Sequence, residues 1–285
     1  MRDAENEIRF MFVKDPKNPI IQDPYCHLIN VYQNVDTFKF PGEDALKQLP
    51  DIPLLFPKKR KIQPGQLAIE KSLNKFKFKF DAMTEHLRDL NWDNVFVAGG
   101  SILGCLLPNS EAKFGGSDID VFLYGLTPEQ AVQKIQEIYK ALQSVTKQVM
   151  VVRTMRTLTF AFGYPWRHVQ IVLRLYSSPA EVLLGFDLDC VGCGYDGKNV
   201  WVLPRTRRAL TLRYNIADPS RQTFRTTSYE YRLWKYSKRG FAVAVPGFRR
   251  HHVDGSIYAK KLSDLEGFAK LLYFEERDHQ CSLIK

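Results

Sequence analysis

A short apolar run that ends in two glycines constrains the fold of this chain most strongly. Residues 95–98 (Val-Phe-Val-Ala) are β-forming and precede Gly99, Gly100 and Ser101. This pattern predicts a buried strand that ends in a tight turn. Ser101 is predicted to cap a short helix, so that free backbone N–H groups and the positive end of the helix dipole face the space above the glycines. A triphosphate suits that place.

Two carboxylates stand at the leading end of a second apolar run. Asp118 and Asp120 precede residues 121–124 (Val-Phe-Leu-Tyr). In a strand, residues two apart lie on one face at roughly 6.6 Å, so both carboxylates point the same way. Two unpaired carboxylates at about 6 Å repel by about 3 kcal/mol at an effective dielectric constant of ~20, and a divalent cation would relieve that repulsion. The segment 108–116 between the two motifs is predicted to be a loop.

The residues that follow predict more of the same sheet. Residues 127–130 form a capping box with proline at the first helical position, which predicts a helix from 128 to about 145. Residues 149–152, 157–162 and 169–173 have the composition of strands. The sequence therefore predicts an α/β (α+β) fold, with a mixed, mostly antiparallel sheet flanked by helices.

The order strand, glycine-serine turn, helix and Asp-x-Asp strand resembles the signature of the DNA polymerase beta-like nucleotidyltransferase superfamily. The resemblance extends from Val95 to Leu203 and implies the nucleotidyltransferase fold. Sixteen residues separate Ser101 from Asp118, more than that superfamily commonly has. The Ser-Asp-Ile-Asp-Val-Phe-Leu-Tyr segment is also similar to segments of uncharacterised ankyrin-associated and large-DNA-virus proteins.

The superfamily carries a third carboxylate on a later strand, and the resemblance here is incomplete. The returning strand offers Gln170 and no acid. Next come a second capping box at 178–181 and residues 186–190 (Phe-Asp-Leu-Asp-Cys), which are predicted to form a strand. Branches of the superfamily place the third carboxylate after such a phenylalanine, which indicates Asp187. Asp189 is the alternative on the same strand face, and a solvated strand without a role is the remaining one.

The resemblance implies two divalent metal ions, Mg²⁺ or Mn²⁺, and a nucleoside triphosphate such as ATP as substrate. Asp118 and Asp120 would hold the ion on the triphosphate and help to hold the second ion. Asp187, or Asp189 in its place, would complete the second metal site. The ions would stabilise the attacking and leaving oxygens of an in-line displacement, and pyrophosphate would leave.

Nucleotide binding is expected at two places. The resemblance implies that Gly99, Gly100 and Ser101 grip the β- and γ-phosphates. Arg205 and Arg208 belong to a basic cluster that follows the predicted sheet, where nucleotidyltransferases often contact the nucleotide or the acceptor.

Composition indicates the setting of this chemistry. The net charge of +10 and pI near 9.3 favour a polyanionic partner such as RNA. Five scattered cysteines do not form a disulfide framework, and Cys190-x-x-Cys193 is predicted to be buried rather than a zinc site. No apolar run predicts a membrane span or a signal peptide. An intracellular location, cytoplasmic or nuclear, is therefore expected.

Three regions are predicted along the chain. Residues 1–66 form a proline- and aromatic-rich, irregular arm that lies over the protein's own core or over a partner in an assembly. Residues 67–203 form the nucleotidyltransferase-like core. Residues 204–285 form a mainly helical C-terminal region.

Two hypotheses of function follow. The first is a metal-dependent nucleotidyltransferase that moves a nucleoside monophosphate from a nucleoside triphosphate to a hydroxyl acceptor, such as an RNA 3′ end, a nucleotide, a protein side chain or a small molecule. The alternative is a catalytically inactive relative that serves as a structural or nucleic-acid-binding component, for example in a viral particle. The arm favours the alternative, whereas the intact turn and the candidate acids favour the enzyme.

Overall fold

The strands form two sheets, each in one of two units of the chain. The computed structural model describes residues 2–146, 148–221 and 228–283. The first unit consists of Met1–Lys39, Leu67–Phe186 and Val191–Arg207. The second consists of Phe40–Gln66, Asp187–Cys190 and Arg208–Lys285. The segment predicted as one arm, residues 1–66, is therefore divided between the two units.

The strands and helices have the following bounds. The strands are β1 (Ile29–Asn30), β2 (Leu54–Leu55), β3 (Val95–Ala98), β4 (Ile119–Tyr124), β5 (Met150–Arg153), β6 (Thr157–Ala161), β7 (Val169–Tyr176), β8 (Cys193–Tyr195), β9 (Val200–Val202), β10 (Tyr214–Ile216) and β11 (Ala242–Ala244). The helices are α1 (Arg2–Lys14), α2 (Pro19–Gln22), α3 (Glu43–Lys47), α4 (Leu73–Met83), α5 (Gly100–Leu106), α6 (Glu111–Phe114), α7 (Pro128–Val145), α8 (Pro179–Leu184), α9 (Pro204–Leu212), α10 (Tyr229–Lys238) and α11 (Ala269–Leu283).

The sheet of the first unit has the strand order β1-β9-β8-β3-β4-β7-β6-β5. β4 and β7 are parallel, and every other neighbouring pair in this sheet is antiparallel. The parallel pair needs a long crossover, which α7 and the β5–β6 hairpin provide. The predicted mixed, mostly antiparallel sheet is confirmed.

Helices cover both faces of this sheet. On one face, Phe96 of β3 and Phe122 of β4 belong to an apolar cluster that includes side chains of α1 and α8. On the other face, Tyr139 of α7 stacks on Phe160 of β6 with ring centroids 5.7 Å apart. The strand register assigns Phe160 to the face opposite Phe122, because residues that pair across strands share a face. The prediction that helices flank the sheet is confirmed.

The second unit contains a small sheet that the sequence did not predict. β10 runs parallel to β11, and β11 pairs with β2 in the antiparallel direction. Leu212, Tyr214, Ala242 and Ala244 form its apolar cluster. Helices α10 and α11 contact each other. These strands have only two or three residues, which is too short for an alternating pattern to stand out from the surrounding helices.

The N-terminal segment is more regular than predicted. It begins with helix α1, whose Ile8 joins the apolar cluster on the sheet. Tyr25 stacks on Trp201 of β9 with ring centroids 4.2 Å apart, and Phe38 is fully buried. The part of the predicted arm before Phe40 therefore packs against the core of its own unit.

Local sequence signals predicted several elements correctly. Helix α7 begins at the expected capping box, in which Thr127 and Gln130 each bond the other's backbone. Helix α8 begins after Ser178, whose hydroxyl accepts the N–H of Glu181. The segment 108–116 is not wholly a loop, because it contains α6.

None of the helices described is long and apolar enough to cross a membrane.

One buried imidazole links the fold to pH. His86 lies in a short 3₁₀ turn after α4 and is buried between the rings of Phe162 and Trp166, whose centroids are 5.1 and 5.4 Å away. Burial lowers the pKa of His86 to about 4, because the charged imidazolium loses its hydration. The fold therefore favours the neutral imidazole.

This burial predicts a pH-dependent loss of stability. The unfolded chain protonates His86 near pH 6.5 and the folded protein only near pH 4, so stability is present above pH 6.5 and falls as the pH falls between those values. The contribution is about 3 kcal/mol over that interval. His86→Phe keeps an aromatic ring at this position and removes the titratable group. The free energy of unfolding, measured by urea titration, should therefore depend less steeply on pH between 6.5 and 5.

The exposed His251→Phe is the matched control and should keep the wild-type slope. An unchanged slope in His86→Phe would contradict the assignment.

Candidate active site

The pairing of β3 with β4 brings the glycine turn next to the carboxylates. Ala98, the last residue of β3, lies opposite Asp120 of β4. The chain then turns at Gly99 and enters helix α5. Both motifs found in the sequence therefore meet at one end of the central strand pair, as predicted.

Gly99 holds a backbone conformation that other residues rarely adopt. Its φ is 94° and its ψ is −143°, in a region that glycine dominates. A β-carbon at this position would lie 3.2 Å from Cε1 of Phe186 and 3.5 Å from Oδ2 of Asp120. The turn is thus so close to both side chains that only a residue without a side chain fits easily. The Asp120 carboxylate lies directly beside the turn.

Helix α5 begins two residues earlier than predicted. Gly99 is its N-cap, and Ser101 lies inside the first turn rather than at the cap. The predicted Ser101 cap is wrong, because Gly100 already has helical geometry. Ser101 is fully buried, and its hydroxyl has no hydrogen-bond partner. The first-turn backbone N–H groups of a helix have no acceptor within that helix, so those of α5 point toward the turn side.

The two carboxylates differ in exposure. Asp118 directly precedes β4 and is exposed, whereas Asp120 lies within β4 and is half-buried. They alternate with the buried Ile119, so both lie on the face that carries Phe122. Asp118 and Asp120 therefore lie at the beginning of β4, and the apolar Phe122 follows them on that face.

A row of polar side chains extends from Asp120 toward the sheet edge. Asp120 pairs with Gln170 of the parallel strand β7, and Gln170 pairs with Thr159 of β6. Nε2 of Gln170 donates to Oγ1 of Thr159 at 3.1 Å. All three side chains are half-buried and share one face. In the sequence, Gln170 was notable only because it stands where an acid was expected. Its position between Asp120 and Thr159 could not be predicted, because it depends on the pairing register of strands that are distant in the chain.

The segment predicted as a third acidic strand is not a strand. Residues 186–188 form a bend after α8, and Asp189–Val191 form a 3₁₀ turn. Within the second unit, Arg232 of α10 holds both oxygens of Asp187, with Nη1 donating to Oδ1 at 2.8 Å and Nη2 donating to Oδ2. This bidentate pair gives Asp187 a structural role. Its role as a catalytic or metal-binding residue stays a prediction.

Asp189 is a buried structural acid. It is 0% exposed, and its Oδ2 accepts bonds from Nη2 of Arg208 at 2.6 Å and from the backbone N–H of Ile216 at 2.8 Å. The acid neutralises Arg208 and binds the last residue of β10 within the second unit. Asp189 as a metal ligand and Arg208 as a nucleotide ligand were both predicted, and the contacts described here occupy both side chains internally.

Arg205 is also internal. Its side chain is 5% exposed, its Nε lies 2.8 Å from Oε2 of Glu5, and its Nη2 donates to the carbonyl of Phe186 at 2.6 Å. This guanidinium thus ties α1 to the segment after α8, where Phe186 packs beside Gly99. The predicted role of Arg205 in nucleotide binding stays a prediction.

The described residues contain no cluster of three or more His, Cys, Asp and Glu side chains placed to hold a metal ion. Cys190 and Cys193 are buried, as predicted, and neither forms a disulfide bond with another described residue. Burial raises the pKa of the Cys190 thiol, which opposes the thiolate form that binds metals. Asp118 and Asp120 offer carboxylate oxygens at the beginning of β4.

The Gly99 geometry generates a test by substitution. Gly99→Ala forces a side chain into a positive-φ conformation and against Phe186, so the unfolding free energy should fall by about 2 kcal/mol. Urea denaturation measures this change. Gly116→Ala is the matched control, because a β-carbon there meets nothing within 4 Å. Equal stability of the two variants would contradict the geometry of the turn.

The Asp187–Arg232 pair generates a double-mutant cycle. Asp187→Asn and Arg232→Gln should each destabilise the protein, and together they should show a coupling of at least ~1 kcal/mol, because the bidentate pair is largely shielded from water. The exposed pair Asp44–Lys47 is the control and should show almost no coupling. Additive effects of Asp187→Asn and Arg232→Gln would exclude a structural ion pair.

The comparisons with known proteins correct the family assignment. A model described as Gabija anti-defense 2 family protein matches residues 73–213, which is just under half of the chain. The chain is also 33% identical over 192 residues to an uncharacterised protein of Acanthamoeba polyphaga mimivirus, which covers 61% of this chain and 41% of that protein. The chain thus spans about two fifths of the length of this relative.

The expected assignment to the DNA polymerase beta-like nucleotidyltransferase superfamily is therefore wrong. The matching family model spans the turn at Gly99 and both Asp118 and Asp120, and it names a different family. A glycine turn followed by an Asp-x-Asp strand is a short motif, and it does not by itself specify the family. The segment from α4 to Arg213 is similar to the Gabija anti-defense 2 family.

Proposed function

We propose that the protein is a divalent-metal-dependent nucleotidyltransferase, which moves a nucleoside monophosphate from a nucleoside triphosphate to a hydroxyl acceptor and releases pyrophosphate. One observation carries the proposal. Oδ2 of Asp120 lies 3.5 Å from the place that a β-carbon of Gly99 would occupy, with Asp118 on the same face. A carboxylate pair thus adjoins a turn whose backbone a phosphate can approach closely.

The donor set fits a magnesium ion that binds together with its substrate. Mg²⁺ usually keeps several waters and binds through one or two carboxylates plus substrate phosphates. Asp118 and Asp120 supply two carboxylates, one exposed and one half-buried, at the end of one strand. When bound, the ion would neutralise phosphate charge in the transition state. Mn²⁺ is the alternative ion.

The residues of the turn would position the triphosphate. The missing side chain at Gly99 lets Phe186 and Asp120 pack against the turn, and the first-turn N–H groups of α5 would donate to phosphate oxygens. Gly100 and Ser101 lie in that turn, and the unpartnered hydroxyl of Ser101 is buried there. Phe186 supports the turn from one side, since its Cε1 would lie 3.2 Å from a β-carbon at Gly99.

The proposal depends on the first metal site. A second ion at Asp187 would require that carboxylate to exchange Arg232 for the metal. Asp189 is fully buried, and to bind a metal ion it would have to break its bonds to Arg208 and to the backbone N–H of Ile216. This exchange would cost more free energy than the exchange at Asp187, because it would leave a buried charge without its partner. Neither exchange is needed for a nucleotide ion at Asp118 and Asp120.

The acceptor is proposed by chemical class. The net charge of +10 supports an anionic acceptor such as RNA, because phosphate attraction does not depend on sequence. A second candidate function is a role against a host defence system, which the similarity to the Gabija anti-defense 2 family supports. Both functions are compatible, since nucleotidyl transfer can modify or deplete a component of such a system.

Transfer of label tests the proposed chemistry. Each α-³²P-labelled nucleoside triphosphate is incubated with Mg²⁺ or Mn²⁺ and with RNA, nucleotide or protein acceptors. Asp118→Asn and Asp120→Asn should each reduce transfer at least ~100-fold, because each removes a charge that fixes the phosphate ion. Asp93→Asn changes an exposed aspartate outside the site and should keep wild-type transfer.

Binding of the manganese–nucleotide complex provides a readout that needs no acceptor. Electron paramagnetic resonance should detect bound Mn²⁺ in the presence of nucleotide in wild type and in Asp93→Asn. The two site variants should bind it at least ~10-fold more weakly, because metal affinity falls when a ligand is lost. Equal affinity of the wild type and Asp120→Asn for the manganese–nucleotide complex would contradict the proposal.

A further inference from the structure

The two edges of the eight-stranded sheet are protected very differently. At one edge, β1 has only two residues, Ile29 and Asn30, one half-buried and one buried. At the other edge, all four residues of β5, Met150–Arg153, are exposed, so neither face of this strand is covered. One side of β5 pairs with β6, and no strand in the described chain pairs with its other side.

The exposed edge is apolar. Met150, Val151 and Val152 are 65%, 46% and 43% exposed, and Met155 in the following turn is 99% exposed. No other stretch of this length in the described residues exposes as many large apolar side chains. Soluble proteins usually protect an edge strand with charges, proline or a bulge. β5 has no proline, and its only charge is Arg153 at its end.

Charge near this edge has one sign. No aspartate or glutamate occurs between Glu137 and Glu181, and that interval contains all of β5, β6 and β7. Arg153 and Arg156 at the tip of the β5–β6 hairpin are exposed, and neither forms an ion pair within the described residues. An extended segment that pairs with β5 would therefore meet unneutralised positive charge at the hairpin tip.

We propose that the free edge of β5 is a docking strand for an extended, acidic segment of a partner protein. The open row of backbone groups would pair with the partner strand, as in recognition by strand addition. Val151 and Val152 point to opposite faces, so each would contact alternate apolar side chains of that strand. Arg153 and Arg156 would select acidic residues at the end of the segment.

The basic surroundings argue against two other occupants. A second copy that pairs antiparallel with β5 about a two-fold axis brings only the same segment to this edge, and that segment contains no acid to match Arg153 and Arg156. Single-stranded nucleic acid favours aromatic platforms beside its phosphates. The hairpin offers methionine and valine side chains instead, which suit an extended peptide.

A synthetic peptide tests the docking strand. The probe is fluorescein-labelled and has a five-residue centre of alternating valine and threonine, with two acidic residues on each side. Fluorescence anisotropy should give a Kd below about 1 mM for the wild-type protein. The same peptide with lysines in place of the acids should bind at least ~10-fold more weakly. A version with every backbone amide of the five-residue centre N-methylated should lose binding similarly, because neither of its edges can then donate hydrogen bonds to β5.

Variants of the protein give the matched comparison. Arg153→Glu/Arg156→Glu and, separately, Val151→Glu/Val152→Glu should each weaken peptide binding at least ~10-fold. Lys71→Glu/Lys75→Glu reverses the same number of exposed charges elsewhere on the first unit and should bind as wild type does. Circular dichroism confirms that each variant is folded, and the hairpin-tip variant is the decisive one because both positions are fully exposed.

Four results would overturn the proposal. The first is a Kd above about 1 mM for the acidic peptide and the wild-type protein. The second is equal binding of the N-methylated peptide and the unmethylated peptide. A fluorescein-labelled single-stranded RNA binds better than the peptide and depends on the same arginines. Sedimentation equilibrium finds a dimer that Val151→Glu/Val152→Glu dissociates, which would assign the edge to a second copy of the chain.

Discussion

The antiparallel pairing of β3 with β4 is the constraint on which the rest of the candidate site depends. It sets Ala98 opposite Asp120, so the chain turns at Gly99 beside the acidic end of β4. The register is strongly fixed, because a slip of one residue would turn Phe122 out of its apolar cluster and Asp120 into the opposite core. Burial of β3 and β4 fixes their register, and this register fixes the position of the Asp120 carboxylate beside the glycine turn.

Two arginines that were predicted to bind nucleotide are each neutralised by an acid of their own unit. Arg205 is bound to Glu5, and Arg208 is bound to Asp189. Uncharged Gln170 and Thr159 continue the row from Asp120 across the sheet. Arg153 and Arg156, at the tip of the β5–β6 hairpin, form no ion pair within the described residues.

The parts of the fold that local patterns encode could be predicted from the sequence. Apolar β-forming residues marked β3 and β4, and the capping box at Thr127 marked the start of α7. The same local logic failed at residues 186–190, where alternation of acidic and apolar residues suggested a strand. There the acids serve distant partners: Asp187 pairs with Arg232, and Asp189 accepts the N–H of Ile216. No local pattern contains that information.

The candidate site shows the same division. The turn and the carboxylate pair were visible as motifs, whereas the place of Gln170 beside Asp120 depends on a parallel register across a long crossover. The burial of Arg205 and Arg208 depends on Glu5 and Asp189, whose proximity no composition predicts. The family assignment failed for a related reason. A glycine turn followed by an Asp-x-Asp strand is a short motif that many nucleotide-binding sites need, so it does not specify one family.

Location of a manganese ion tests the central claim most directly. Crystals grown with Mn²⁺ and a non-hydrolysable nucleoside triphosphate analogue would be measured at a wavelength where manganese scatters anomalously. The account predicts a manganese peak coordinated by the carboxylates of Asp118 and Asp120, with the triphosphate over Gly99 and Gly100. A nucleotide bound elsewhere with no manganese at these aspartates would contradict it.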